Sequence, residues 1–174
     1  MDLGKAARDP WVWGQIALFA AVAGGIPLAI RHADPASTLG RVVAPSSPAW
    51  RLPALVVLAA GTAVAMWGFR SLGKNLTPGT EPLADATLVR TGAYTRVRHP
   101  IYLGIILILG GVAWGLSNPV MGLLAFAVSF LYFDRKGAAE ERWMSQRFPA
   151  YAAYREQVPK LVPRLRRSGA GPVS

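Results

Sequence analysis

Four stretches of this chain carry no charged residue, and that pattern restricts the fold more than anything else in the sequence. They are 11–30 (WVWGQIALFAAVAGGIPLAI), 52–69 (LPALVVLAAGTAVAMWGF), 101–116 (IYLGIILILGGVAWGL) and 119–133 (PVMGLLAFAVSFLYF). A run of about 20 apolar residues matches a hydrocarbon core of roughly 30 Å. Trp11 and Trp13 suit the lipid interface. The first run is too long for a cleaved signal peptide, and Asp2 and Asp9 spoil a basic leader. The last two runs are shorter, about 22 to 24 Å at 1.5 Å per residue. They are separated by Ser117 and Asn118, so the two helices must be antiparallel neighbours. The expected fold is all-α: an integral membrane helical bundle with about four transmembrane helices, built as a single domain over 1–174.

Composition agrees. Hydrophobic residues make up 52% of the chain and charged ones 16%, against about 25% charged in soluble domains. There is no cysteine, which removes disulfides, thiolate nucleophiles and cysteine metal sites. The two histidines, His32 and His99, are far apart and no HExxH pattern occurs, so no protein-bound metal is expected. The net charge of +10 does not point to nucleic acid, because the basic residues flank the apolar spans. Arg31, Arg41 and Arg51 lie in the 31–51 loop; the other Lys and Arg residues lie in the N-terminal tail, in 70–98 and after Phe133. By the positive-inside rule both termini are expected on the cytoplasmic side.

After Phe133 the chain is too polar to span. Met144, Phe148, Tyr151, Tyr154 and Val158 recur at helical spacing, which predicts a cytoplasmic amphipathic helix interrupted at Pro149 and stopped by Pro159 and Pro163. Residues 166–174 read as a basic tail near anionic lipid. Gly104, Gly110, Gly111 and Gly115 dot the third span, and GVAWG is a GxxxG pattern. Close helix packing is one reading of these glycines. A groove where a ligand touches backbone, with Gly104 as its best position, is the other.

The chemistry gathers around RVRHPIYLG, residues 96–104. Pro100 suits the first turn of a helix, which places His99 at its cap beside Arg98. The free N–H groups of such a helix start form an anion site, reinforced by Arg98. The hairpin then returns Asp134, Glu140 and Glu141 to the same face. A cation-rich helix start opposite a carboxylate pair is what an amino-acid zwitterion requires. Taken singly, Arg98 reads as a topology determinant, His99 as a solvated cap and Glu140–Glu141 as a solvated face. Their meeting around one short hairpin, with Tyr102 between them, favours a site.

LVRTGAYTRVRHPIYLG, then SNP, then DRKGAAEERWMSQRFPAYAAYREQVPKLVP, resembles the isoprenylcysteine carboxyl methyltransferase family, within a wider group that includes membrane phospholipid methyltransferases. The resemblance covers roughly 70–165, and the LGKNLTPG stretch looks like bacterial members, implying a bacterial inner membrane. It implies an S-adenosyl-L-methionine-dependent enzyme with cofactor-binding segments at 70–100 and 134–165. Arg98, His99, Pro100, Tyr102 and Gly104 would line the methionine and ribose part, and Glu140 and Glu141 would hold the amino and hydroxyl groups. Leu88, Val89, Gly92 and Tyr94 match the segment along the cofactor, and Arg135 an arginine that contacts an anionic acceptor. Pro149 stands where the family commonly has glycine, and the stretch from Glu141 to Tyr151 is one residue shorter.

Methyl transfer from a sulfonium needs alignment and desolvation more than acid–base chemistry, and orientation alone supplies roughly 7–11 kcal/mol. A carboxylate acceptor needs no general base. An amine acceptor would, and His99 or Tyr102 would be the catalytic candidates. The acceptor is expected to be lipophilic and to enter from the bilayer: a carboxylate, thiol or amine. Two other readings stay open at this point, an NADPH-dependent sterol or isoprenoid reductase and a non-enzymatic membrane scaffold.

Overall fold

A computed structural model describes residues 7–34, 36–44, 47–76, 80 and 86–164. The basic tail at 166–174, Asp2, and residues 77–79 of LGKNLTPG lie outside them. Among the described residues six helices follow one another: α1 Pro10–His32, α2 Thr38–Val43, α3 Arg51–Leu72, α4 Pro100–Leu116, α5 Pro119–Arg147 and α6 Tyr151–Gln157. Short 3-10 turns occur at Pro48–Trp50, Gly73–Asn75 and Gly92–Thr95, and no strand occurs among the described residues.

The helix starts follow local chemistry. Asp9 caps α1 by accepting from the Trp11 N–H at 2.9 Å, with Pro10 in the first turn. Asn118 caps α5, accepting from Val120 N and Met121 N at 3.0 and 3.1 Å ahead of Pro119. Its amide also donates to the Val42 and Ala44 carbonyls, tying the 36–44 segment to the hairpin. Within α1, Pro27 withdraws an N–H from the ladder, and the preceding turn Ala21–Gly25 widens to π geometry.

The helical segments Pro10–His32 and Pro48–Asn75 are long and apolar enough to cross a membrane, by length and composition. Helix α4 is apolar but shorter, at 17 residues. Helix α5 corrects one boundary. The apolar run expected to finish at Asp134 continues as a single 29-residue helix to Arg147, about 44 Å long. Its buried face persists through Phe133, Gly137 and Glu141, so the onset of charge does not end it.

Helix α4 is the central element, packed on α3 on one side and α5 on the other. Ile106, Leu109 and Ala113 meet Val22 and Ile26 of α1, Ala125 and Phe133 of α5, and Leu161. The α3–α4 contact is antiparallel and very close. A Cβ on Gly104 would stand 2.5 Å from the Ala65 nitrogen and 2.7 Å from the Gly61 carbonyl oxygen. Gly68 faces Ile101 at one end, and Gly111 faces Ala54 and Leu58 at the other. The glycines of the third apolar run therefore pack helices within the chain. Large apolar side chains such as Leu52, Val56, Leu123 and Leu131 point outward from α3 and α5, the reverse of a water-soluble surface.

Candidate functional site

The segment ahead of α4 is shaped by one glycine. Gly92 adopts φ +61°, and a Cβ there would collide with the Ser71 hydroxyl. That close approach lets the Ala93 N–H donate to Ser71 Oγ at 3.1 Å, anchoring the Gly92–Thr95 turn to the end of α3. The turn buries Tyr94. The chain then extends through Arg98 and His99, whose N–H groups donate to the Pro159 and Lys160 carbonyls at 2.8 and 3.1 Å. His99 is the N-cap residue of α4 and Pro100 its first helical residue.

The two clusters that the hairpin was expected to bring together are in direct contact. Arg98 Nε and Nη2 donate to Glu141 Oε1 at 3.0 and 2.9 Å, and His99 Nε2 lies 3.1 Å from the same oxygen. Arg98 Nη1 donates to the Arg155 carbonyl at 2.9 Å and also to that of Val158. His99 Nδ1 lies 3.6 Å from Glu140 Oε2, and the Tyr102 hydroxyl donates to Glu140 Oε1. The Tyr102 ring stacks on His99, 5.4 Å between centroids and 2° from parallel. Phe133 packs against the Tyr102 ring at 4.7 Å.

The consequence differs from a cation facing a carboxylate across an empty gap. Arg98 is engaged by Glu141 and two carbonyls, so it serves as a brace between the start of α4, α5 and the end of α6. The two glutamates, adjacent in sequence, divide into separate roles. Burial works against ionised Glu141, but the His99 hydrogen bond and charge, then Arg98, bring its carboxyl down to about 2. Burial pushes the Glu140 carboxyl up, opposed by His99, the Tyr102 hydrogen bond and Lys136. Perturbed groups of this kind collect where chemistry is done.

Glu140 opens onto a cavity of about 160 Å³ between the start of α4, the polar half of α5, α6 and the 86–89 segment. Its floor holds His99, Tyr102 and Glu140, and its walls are apolar and aromatic, including Leu88, Met144, Phe148 and Tyr154. Burial pushes the Tyr154 phenol up to about 12, so it stays neutral while donating to the Tyr94 carbonyl at 2.7 Å. A family model described as phospholipid methyltransferase matches residues 50–151. The chain belongs to that family.

Within the phospholipid methyltransferase family the match spans α3 to the start of α6, so it contains the cavity floor and leaves out α1. Among curated proteins, the chain is similar to a protein-S-isoprenylcysteine O-methyltransferase of Schizosaccharomyces pombe, 35% identical over 80 residues, covering 45% of this chain and 34% of that protein. It is similar to a protein of the same name from Saccharomyces cerevisiae, 32% identical over 85 residues, covering 48% and 36%. It is also similar to the cobalt-zinc-cadmium resistance protein CzcN of Cupriavidus metallidurans, 38% identical over 80 residues, covering 45% and 37%. The matched segment thus spans little more than a third of each relative's length.

Of the residues singled out from sequence, Leu88, Val89, Tyr94, Arg98, His99, Tyr102 and Glu140 line the cavity. Others sit beside it. Glu141 is buried behind the floor on Arg98, Gly92 shapes the turn, and Pro100 lies against α3 near Gly68. Gly104 is away from the cavity wall, pressed between Gly61 and Ala65, where any side chain would force α3 and α4 apart. Arg135 is exposed and follows Leu124, Val128 and Leu131 along the outward stripe of α5, facing away from the cavity.

Three groups of residues were not singled out as site residues from the sequence. Asn75 and Thr87 both line the cavity and are joined, the Thr87 N–H donating to Asn75 Oδ1 at 2.8 Å. Met144, Phe148, Tyr151 and Tyr154, expected as one face of a cytoplasmic amphipathic helix, line the cavity. Lys136, in a segment that reads as solvated, is 1% exposed and donates to Gln15 Oε1 at 2.7 Å.

Proposed function

We propose that this chain is an integral membrane methyltransferase that uses S-adenosyl-L-methionine to methylate a lipophilic acceptor at the cytoplasmic interface. The observation that carries the reading is the joining of the RVRHPIY helix start to Glu140 at the floor of an apolar, aromatic-walled cavity. The donor set fits that cofactor. Glu140 accepts hydrogen bonds from an ammonium or ribose hydroxyls, and Leu88, Met144 and Phe148 offer a face for a purine. The cavity is smaller than the about 300 Å³ typical of small-molecule pockets, so its side chains must part to admit the whole cofactor.

When bound, the cofactor supplies an electrophilic methyl group for in-line displacement by a nucleophile on the acceptor. Glu140 and Tyr102 orient it, and the apolar wall excludes water from the reacting centre. His99, held between Glu140 and Glu141, is the group nearest to hand for a proton if the acceptor is an amine; a carboxylate acceptor needs none.

In this reading the chain crosses the membrane four times, at 11–30, 52–69, 101–116 and 119–133, with both termini and the cavity on the cytoplasmic side and α6 on that surface; the flanking Lys and Arg residues support the orientation. This supports a water-borne cofactor meeting an acceptor that arrives through the bilayer. The isoprenylcysteine proteins named among the relatives support an isoprenylcysteine-like carboxylate as the first acceptor to try; another small lipophilic carboxylate, thiol or amine is tested beside it.

Titration calorimetry of the purified protein in detergent tests the reading. S-adenosylmethionine should bind, and Glu140→Gln and His99→Ala should weaken it by about tenfold or more, the scale of losing one charge-assisted hydrogen bond. Binding as tight as the parent's in both variants would remove the site. Labelled cofactor incubated with a lipid extract then identifies the acceptor.

A further inference from the structure

Lys136 is a lysine with 1% exposure, in a fold that has ample surface for cations. Lysines are almost never buried this deeply without a partner that needs the charge. Its ammonium donates to Gln15 of α1 at 2.7 Å and stands 5.4 Å from the centre of the Tyr102 ring. Glu140 follows four residues later, one turn further along the same face of α5. The Tyr102 ring also stacks on His99, and its hydroxyl ends on Glu140. Lys136 is not among the residues lining the cavity. Its charge reaches the site from below.

We infer that Lys136 is a positioning residue for Glu140: clamped by Gln15, its ammonium keeps the Glu140 carboxylate ionised and held on Tyr102 for the ligand. The ligand's identity rests on the proposed methyltransferase reading; the positioning itself does not.

The charge balance around Glu140 makes the case. From α4 and its start come Arg98, His99 and Tyr102; from the Gly92–Thr95 turn comes Tyr94; from the start of α1 comes Asp9; and α5 itself contributes Lys136 and Glu141. Arg98 is committed to Glu141 and to two carbonyls. Asp9 and Glu141 carry the same sign as Glu140 and oppose its ionisation. Among the described residues this leaves Lys136, together with His99 when it is protonated, as the cations acting on Glu140. Burial works against the lysine's own charge, and Glu140 and Asp9 support it. The clamp also gives α1 a part in the site, although α1 lies outside the family match.

Infrared difference spectroscopy of the purified protein, stepped through pH, reads the protonated Glu140 carbonyl band, assigned by its absence in Glu140→Gln. Lys136→Met should move the protonation midpoint up by about one pH unit or more, a tenfold change in proton affinity. Lys136→Arg should return most of the shift, and Gln15→Leu should fall between. S-adenosylmethionine binding in Lys136→Met should weaken more in mildly acid than in mildly alkaline buffer. A midpoint unchanged in Lys136→Met overturns the inference. If that variant does not fold, an unchanged midpoint in Gln15→Leu overturns it instead. A shifted midpoint in a protein that binds no cofactor, parent included, sustains the role of Lys136 and overturns the methyltransferase reading.

Discussion

One oxygen of Glu141 is shared by Arg98 and His99, at 2.9 Å from the guanidinium Nη2 and 3.1 Å from the imidazole Nε2. That oxygen joins the start of α4 to the polar half of α5. Through Arg98 Nη1 the joint extends to the Arg155 and Val158 carbonyls beyond it. Glu141 therefore holds the site together, while Glu140 faces what binds there. Glu141→Gln leaves the Arg98 guanidinium, 9% exposed at its side chain, without its countercharge. Losing one partner of a buried pair costs about 3–5 kcal/mol. Thermal denaturation in detergent should show a large drop, and a melting temperature equal to the parent's would show that the joint carries no weight.

The same contact sets an acid limit. Burial would raise the Glu141 carboxyl, but His99 and then Arg98 hold it at about 2, below the ordinary glutamate range. A folded-state value lower than the unfolded one means the stabilisation is complete above the ordinary range and is lost as pH falls toward about 2. The parent's melting temperature should fall across that window, and the fall should be shallower in Glu141→Gln. Parallel acid profiles for the two proteins would assign the acid sensitivity to other groups.

Much of this arrangement was legible in the residues. The uncharged runs marked α1, α3, α4 and the apolar half of α5, and Ser117–Asn118–Pro119 marked the hairpin. RVRHPIY together with the glutamate pair marked the cavity floor. What stayed hidden depended on partners distant along the chain. Nothing in the run around Val158–Lys160 announces that its carbonyls take the Arg98 side chain and the N–H groups of Arg98 and His99. Lys136 stands among Asp134, Arg135 and Glu140, a composition that reads as solvated; its burial depends on Gln15, more than a hundred residues earlier. Gly104 follows Tyr102 by two residues, but a helix turns about 200° over two residues, which puts the glycine on α3 rather than on the site.

That placement gives a contrast between two glycines of one helix. A Cβ at Gly104 meets backbone atoms of Ala65 and Gly61 at 2.5 and 2.7 Å, whereas one at Gly115 meets Ala54 Cβ at 3.7 Å. Gly104→Ala should destabilise by about 1–3 kcal/mol, the range for forcing an extra carbon into a packed contact. Gly115→Ala should be neutral or slightly stabilising, since alanine favours helix. Equal melting temperatures for the two variants would mean that α3 and α4 are not in this contact.

Arg135 separates the outer surface from the site. It continues the exposed stripe of Leu124, Val128 and Leu131, and its Nη1 makes a 3.4 Å bond back to the Leu131 carbonyl. Arg135→Ala should leave S-adenosylmethionine affinity unchanged within about twofold, the scatter of surface substitutions. A tenfold loss would put the residue at the cofactor cavity instead of on the outer stripe.

Tyr102→Phe tests the floor with the smallest change. The ring would keep its stack on His99 and its packing on Phe133, and the hydrogen bond to Glu140 would be lost. One hydrogen bond is worth about 0.5–1.5 kcal/mol net, or roughly 2- to 12-fold in affinity. The loss should appear in S-adenosylmethionine binding, with little change in melting temperature, because the packing is retained. If Tyr102 serves only to fill space beneath the cavity, the phenylalanine variant will bind as the parent does. If it orients Glu140, Tyr102→Phe and Glu140→Ala together should weaken binding little more than Glu140→Ala alone, since without the carboxylate the Tyr102 hydroxyl has nothing to orient.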